Sequence, residues 1–208
     1  MPFFQYRNDL TKCRLCGRET DASSFEFECF SLNKKHPFYK FAGSAVHYDC
    51  LLDAPEASAF IEFYLAKLDD VFLESYWILT SVGDEFEDSF DSTLCECEPP
   101  RYDRQELIDH LLASPACRLD DKHGNGRLLW ESKGEAIEYD IPDTDSWTGI
   151  GIAVQCSPGS FVPQFRHINQ RFERVFLHNQ DCAIFTPNHF EAVYVNPRLI
   201  TLQSQLGA

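Results

Sequence analysis

The chain has 208 residues, of which 44% are hydrophobic and 14% aromatic, and this composition excludes a disordered protein. Its formal net charge of −15 disfavours general binding to nucleic-acid backbones, which carry charge of the same sign. The acidity is concentrated, because residues 51–100 hold 13 acidic residues and one basic residue, a net charge of −12. Such a segment is either a solvated surface that maintains solubility or a face that attracts a basic partner.

The start of the chain lacks the basic residues and the apolar core of a signal peptide, and no stretch is apolar enough to span a membrane. The sequence therefore predicts a soluble, cytoplasmic protein that does not engage a membrane. The cysteine count is nine, an odd number. In a reducing compartment these cysteines predict metal ligands and buried thiols rather than disulfides.

Two pairs of metal-ligand residues lie near the N-terminus. Cys13 and Cys16 form a Cys-x-x-Cys pair followed by Gly17, and His47 and Cys50 form a His-x-x-Cys pair further along the chain. Three thiolates and an imidazole in two such pairs match a closed tetrahedral zinc site. Four protein ligands leave no open position for water or substrate, so the sequence predicts a structural zinc rather than a catalytic one.

Other interpretations of these residues remain open. A Cys-x-x-Cys pair also occurs in thioredoxin-like redox proteins, but that fold needs a βαβ context, and here a turn and a predicted strand follow the pair. The four residues could also be unrelated buried groups. Cys29 and His36 lie between the two pairs and are the alternative ligands, although neither belongs to a spaced pair.

The segment between the ligand pairs is predicted to form a hairpin. Apolar residues alternate with glutamates from Phe25 to Cys29, which predicts a half-buried strand. A knuckle, a hairpin and a ligand pair at the start of a helix resemble a treble-clef zinc module, similar to the first half of a LIM domain. The resemblance covers residues 13–50 and implies one structural zinc, with the second ligand pair on the first turn of a helix. The interval between the pairs is longer than in LIM domains and a second ligand set is missing, so no adaptor role is implied.

A long helix and an acidic stretch follow the module. Asp53 and Glu56 form a helix cap, and apolar residues at three- and four-residue steps predict a helix that continues to about Leu79. Residues 81–101 are acidic, carry spaced aromatic residues and end in two prolines. This stretch is predicted to be a linker, or else a docking segment for a basic protein whose candidate contact residues are Asp84, Glu85, Glu87, Asp88 and Asp91.

The remainder of the chain predicts helices and closely spaced strands. A helix is expected from Asp103, a hairpin around Lys133 and Gly134, and a second helix between Phe161 and Phe176, followed by closing strands that include 190–195 and 199–202. The strands lie too close together for a doubly wound parallel sheet. The predicted fold class is α+β: a treble-clef zinc module with a long helix at 1–80, an acidic linker at 81–101, and an α+β domain with a mainly antiparallel sheet at 102–208.

The sequence contains no recognisable catalytic motif, neither a nucleophile elbow nor a phosphate loop, a dinucleotide fingerprint or a His-Glu-x-x-His pair. The chain nevertheless contains residues of the types that an enzyme uses. The candidate nucleophiles are Cys156 and Cys182, the candidate bases are His110, His167, His178 and His189, and the candidate orienting acids are Asp109 and Asp181.

Our leading hypothesis is a non-enzymatic, zinc-stabilised acidic protein that binds a basic protein partner, with an immunity or inhibitor protein as its concrete form. One alternative is a hydrolase or nuclease with its site in residues 102–208. Another is a nucleic-acid-associated regulator that uses the basic residues of the zinc module, namely Lys12, Arg14, Arg18, Lys34 and Lys35.

Overall fold

A computed structural model describes most of the chain, namely residues 10–27, 32–81, 101–120, 127–173, 175–179 and 184–207. These residues form a mixed α and β protein with a mainly antiparallel sheet, which confirms the predicted fold class at this level. The chain divides into two compact units. Unit 1 comprises Met1–Leu68 and Pro197–Ala208, and unit 2 comprises Asp69–Asn196. The linker at 81–101 stays a prediction, because most of it lies outside the described residues.

Unit 1 contains a small antiparallel sheet followed by helices. Strands β1 (Phe25–Phe27) and β2 (Ser44–Val46) pair with each other. A short 3₁₀ turn (Tyr39–Phe41) precedes β2, and helix α1 (Tyr48–Leu52) follows it. Helix α2 (Ala57–Glu74) begins in unit 1 and continues into unit 2.

Aromatic side chains form the core of unit 1. The Phe60 ring stacks on Phe41 with centroids 4.1 Å apart, and Phe27 packs edge-on against Phe60 at 4.8 Å and against Tyr64 at 4.9 Å. All four side chains are buried. Large aromatic rings in such edge and stacked contacts contribute strongly to stability, which lets a unit of this size hold a core.

The C-terminal helix α6 (Pro197–Leu206) completes unit 1, although unit 2 precedes it in the sequence. Its Leu199 and Leu202 are fully buried. The sequence-based prediction of a strand at 199–202 is wrong. Apolar residues spaced three apart fit a helix, and Pro197 occupies the first helical position, where its missing N–H costs no hydrogen bond.

Polar contacts also join α6 to the rest of unit 1. The Arg198 guanidinium lies over the Phe25 ring, 4.6 Å from its centroid, and donates to the backbone oxygen of Ser23 at 2.5 Å. The Tyr48 hydroxyl donates to Gln205 at 2.6 Å, which connects α6 to helix α1.

A seven-stranded antiparallel sheet is the centre of unit 2, in the order β11-β10-β3-β9-β7-β6-β5. Its strands are β3 (Trp77–Ser81), β5 (Cys117–Leu119), β6 (Arg127–Ser132), β7 (Glu135–Asp140), β9 (Gly149–Gln155), β10 (Val175–Asn179) and β11 (Ile184–Phe185). Strands β4 (Tyr102–Asp103) and β8 (Ser146–Trp147) form a separate pair.

The helices of unit 2 begin at side-chain caps. Helix α3 (Arg104–Leu112) is capped by the Asp103 carboxylate, which accepts from the Glu106 backbone N–H at 2.8 Å, as the sequence predicts. Helix α4 (Pro158–Arg171) is capped by Ser157, and α5 (Pro187–Phe190) by Thr186. A π-helical turn (Glu191–Val195) follows α5, so the predicted strand at 190–195 is wrong.

An aromatic cluster joins the end of α2 to β3, α4 and α5. Phe72 at the end of α2 contacts Trp77, Phe161 and Phe190, with centroids 5.1–5.4 Å apart. The Trp77 indole N–H donates to the Phe72 backbone oxygen at 2.9 Å.

Two predicted helices end earlier in the structure. Because Trp77 belongs to β3, the helix predicted to continue to Leu79 ends at Glu74 instead. Similarly, α4 ends at Arg171 with Phe172 as its C-cap residue, and Phe176 belongs to β10.

The predicted hairpin at Lys133 and Gly134 is present. Both residues have positive φ, 52° and 86°, and they join β6 to β7 as a two-residue turn of the I′ class. We expect Gly134→Ala to lower the free energy of unfolding by about 1 kcal/mol, because an L-residue is strained in this conformation. No atom lies within 4 Å of the added Cβ, so the cost is conformational.

Urea denaturation measures this effect, and Gly159→Ala is the matched control. Gly159 also has open space around its Cβ position, but it lies in the first turn of α4 without a positive φ, so alanine is tolerated there. Equal unfolding midpoints for the two variants would contradict the turn assignment.

No helix of the described residues is long and apolar enough to cross a membrane.

Candidate metal centre

The two ligand pairs come together in unit 1. One ligand atom from each of Cys13, Cys16, His47 and Cys50 lies within 4.8 Å of all the others. The His47 Nδ1 atom is 3.4 Å from the Cys16 sulfur and 3.9 Å from the Cys50 sulfur. This group of three thiols and one imidazole can hold a metal ion.

Strand β2 brings the pairs together. Cys13 forms a parallel bridge with Ala45 of β2, and the Arg14 N–H donates to the Ala45 oxygen at 2.9 Å. The chain then leaves β2 directly into His47, which occupies the N-cap position of α1, and Cys50 lies within that short helix. One strand therefore sets the distance between the first pair and the second.

The Cys13–Cys16 segment is a closed turn. The Gly17 N–H donates to the Cys13 oxygen at 2.8 Å, and the Cys13 N–H donates to the Arg18 oxygen at 2.8 Å. Gly17 has a φ of 73°, in the left-handed region that favours glycine. The turn holds both sulfur atoms on the same side of the chain, toward His47.

Backbone groups around the cluster orient its ligands. The His47 Nε2 lies 2.8 Å from the Glu19 backbone oxygen. Because a carbonyl oxygen only accepts, Nε2 carries a proton, and in the neutral imidazole the unprotonated Nδ1 faces the thiols, where it can bind a metal ion. The His47 backbone N–H donates to the Cys13 sulfur at 3.4 Å, as expected for a thiolate.

The electrostatics of the cluster differ from one thiol to the next. Arg18 donates from Nε to the exposed Cys16 sulfur at 3.4 Å and lowers the pKa of Cys16 to about 6. Burial raises the pKa of Cys13, but the backbone N–H groups of His47, Cys16 and Leu15 outweigh it, and the net shift is downward. Burial, followed by the neighbouring thiols, raises the pKa of Cys50 to about 11. Thiolates this close repel each other, so a divalent cation among them would favour all three charged forms.

Two contributors to the site did not stand out in the sequence. In the sequence, Arg18 is one of several basic residues of the module, and nothing distinguishes it as a partner of a thiol. The Glu19 contact uses a backbone oxygen, which no side-chain pattern reveals. The position of Arg18 two residues after the second cysteine was the available signal.

His36, one of the two alternative ligands, is not a member of the cluster. His36 instead packs against Phe63 with centroids 5.0 Å apart, and its Nδ1 accepts from the Phe38 N–H at 3.2 Å. Cys29 lies outside the described residues, as do the candidate partner-binding residues Asp84, Glu85, Glu87, Asp88 and Asp91.

The structure describes several of the candidate catalytic residues of unit 2. The His110 and His167 rings stack with centroids 4.0 Å apart, and each Nε2 contacts the backbone oxygen of the other residue, at 2.8 and 3.2 Å. Cys156 is buried, which raises the pKa of its thiol to about 12. His189 packs against Phe185 at 4.9 Å. Asp181 and Cys182 lie outside the described residues.

Comparison with known proteins gives no relative: no protein-family model matches the sequence, and no curated protein and no solved structure is similar to it.

Proposed function

We propose that Cys13, Cys16, His47 and Cys50 bind one structural Zn²⁺ in a treble-clef module, and that the protein is a non-enzymatic, zinc-stabilised acidic protein that binds a basic protein partner. The observation that carries the metal-binding part of this proposal is the convergence of the four ligand atoms within 4.8 Å of one another. An inhibitor or immunity-type protein, which covers a basic target, is its concrete form.

The donor set and its distances fit zinc. Thiolate and imidazole ligands suit zinc and disfavour calcium and magnesium, which prefer oxygen. In tetrahedral zinc coordination the sulfur and nitrogen ligand atoms stand about 3.6 Å apart, from Zn–S and Zn–N bonds of about 2.3 and 2.0–2.1 Å. The distances of 3.4 and 3.9 Å from His47 Nδ1 to the two sulfur atoms bracket that value. Four protein ligands complete the coordination, which supports a stabilising role.

The charge of the protein is carried by the other unit. Unit 1 contains nine Lys and Arg against nine Asp and Glu, a net charge of zero. Unit 2 contains nine against 24, a net charge of −15. This separation supports a division in which the metal stabilises one unit and the acidic surface of the other attracts a basic partner.

Most of the described arginines of unit 2 form ion pairs with carboxylates of the same unit. Among the described residues, five of these arginines form ion pairs within the unit: Arg104 with Asp143, Arg118 with Glu131, Arg127 with Glu138, Arg166 with Glu191, and Arg171 with Glu106. The two arginines of α4, Arg166 and Arg171, are among them and pair with Glu191 and Glu106. The net negative charge of unit 2 supports attraction of a basic partner.

Partner capture with charge variants tests this proposal. We expect the immobilised protein to retain basic proteins, which mass spectrometry identifies, and their affinity for the purified protein to fall about tenfold on combined Glu85→Gln, Glu87→Gln and Asp88→Asn. The matched control replaces Glu26, Asp53 and Glu62 of unit 1, which removes the same three charges from exposed positions. Equal affinity for the wild type and the unit 2 variant would contradict the role of the predicted docking segment.

A further inference from the structure

A groove of about 460 Å³ lies in unit 2 between the end of α2 and the junction of β9 with α4. It is lined by Leu73, Glu135, Val154, Gln155, Cys156 and Ser157. Cys156 is buried and Val154 is half-buried, whereas the Leu73 side chain is 47% exposed. The groove therefore offers an apolar surface that solvent reaches, and one wall of it is an exposed leucine.

Acidic residues surround Leu73 on α2. Asp69 and Asp70 precede it by four and three residues, so they share its side of the helix, and Glu74 follows it directly. All three are exposed. Glu135 also lines the groove, and hydrogen bonds from Ser160 and Ser157 hold its pKa below the usual value and keep it charged.

The acidic residues occupy an unfavourable position on the helix. The last turn of α2 contains no basic residue, and the free carbonyl groups of a helix C-terminus carry partial negative charge. Acidic side chains at that end lower the stability of the helix, and a cation placed beside them would reverse the effect. The ligand that complements this groove is therefore positively charged and partly apolar.

We propose that this groove binds a segment of the partner in which leucine-sized apolar side chains are flanked by lysine or arginine. The apolar side chains pack against Leu73 and Val154, and the basic ones pair with Asp69, Glu74 and Glu135. This inference rests on the proposed function, and it adds to the predicted docking segment a second contact region of unit 2 and the side chains that the partner presents there.

Fluorescence anisotropy with defined peptides tests the proposal. The probe is a labelled peptide, Arg-Arg-Leu-Leu-Arg-Arg, titrated with the full-length protein at low salt, and the comparison peptides replace the leucines by serine or the arginines by glutamate. We expect the leucine peptide to bind about tenfold more tightly than the serine peptide, and the glutamate peptide to show no binding.

Matched variants assign the binding to the groove. Leu73→Ala is expected to weaken binding of the leucine peptide about tenfold. Ile200→Ala, at an equally exposed helical position of 43%, is expected to change it by less than about twofold. Glu74→Gln is expected to weaken binding more than Glu173→Gln, which removes the same charge from another exposed position of unit 2.

The outcomes separate the two proposals. If the leucine and serine peptides bind equally well and Leu73→Ala has no effect, the groove is not the site, while recognition of basic partners stands. If no basic peptide binds to the wild type, both the groove and the basic-partner proposal are overturned. Because Leu73 is exposed, Leu73→Ala leaves the folded state intact, and an unchanged melting temperature checks this.

Discussion

Replacing Cys13 by serine is expected to abolish metal binding and to unfold unit 1. Cys13 is the most buried member of the cluster, with 1% of its surface exposed, and its sulfur accepts the His47 backbone N–H. A serine hydroxyl is a poor ligand for zinc, and a structural zinc contributes an apparent free energy of about 10–16 kcal/mol to folding. Total stabilities of domains are about 5–15 kcal/mol, so the loss exceeds what unit 1 can tolerate. Elemental analysis measures the metal, and circular dichroism and thermal unfolding measure the fold.

The control for this prediction is Cys156→Ser. Cys156 is buried to a similar degree, with 3% of its surface exposed, but it lies outside the cluster. Burying a serine hydroxyl there costs about 1–3 kcal/mol and leaves the zinc in place. A Cys13→Ser protein that retains one zinc per chain would contradict the proposed ligand set.

Removal of residues 197–208 is expected to destabilise unit 1 nearly as strongly. The deletion exposes the surface that Leu199 and Leu202 cover. Truncating one buried leucine side chain typically lowers the free energy of unfolding by about 2–5 kcal/mol. It also removes the contact of Arg198 with Phe25 and the hydrogen bond from Tyr48 to Gln205. Because Tyr48 directly follows His47, we expect the truncated protein to hold its metal more weakly as well.

Competition with a chromophoric zinc chelator and thermal unfolding measure both effects. Gln205→Ala removes only the exposed end of the Tyr48 contact, and we expect it to cost about 1 kcal/mol or less. A truncated protein that melts at the wild-type temperature and retains zinc equally well would show that α6 does not support unit 1.

The features that sequence predicts well are local ones. The cluster of four candidate ligands follows from residue type and spacing, because a tetrahedral site with two ligand pairs requires short, fixed intervals within each pair. The cap at Asp103 and the turn at Lys133 and Gly134 depend on the conformational preferences of a few neighbouring residues. These predictions require no knowledge of the rest of the fold.

The features that sequence misses depend on contacts far along the chain. The spacing of apolar residues after Ile61 suits a helix beyond Glu74, but Trp77 and Leu79 pair with Ile152 and Ile150 of β9, and the sheet prevails over the helical pattern. The membership of α6 in unit 1 cannot be read from periodicity, because its partners lie more than a hundred residues earlier in the chain.

X-ray absorption at the zinc edge tests the central claim most directly. For the purified full-length protein, we predict one zinc per chain with three sulfur atoms at about 2.3 Å and one nitrogen atom at about 2.0–2.1 Å. That result would establish a closed site formed by Cys13, Cys16, His47 and Cys50. A protein without zinc, or a zinc with an oxygen atom in place of one of these ligands, would contradict it.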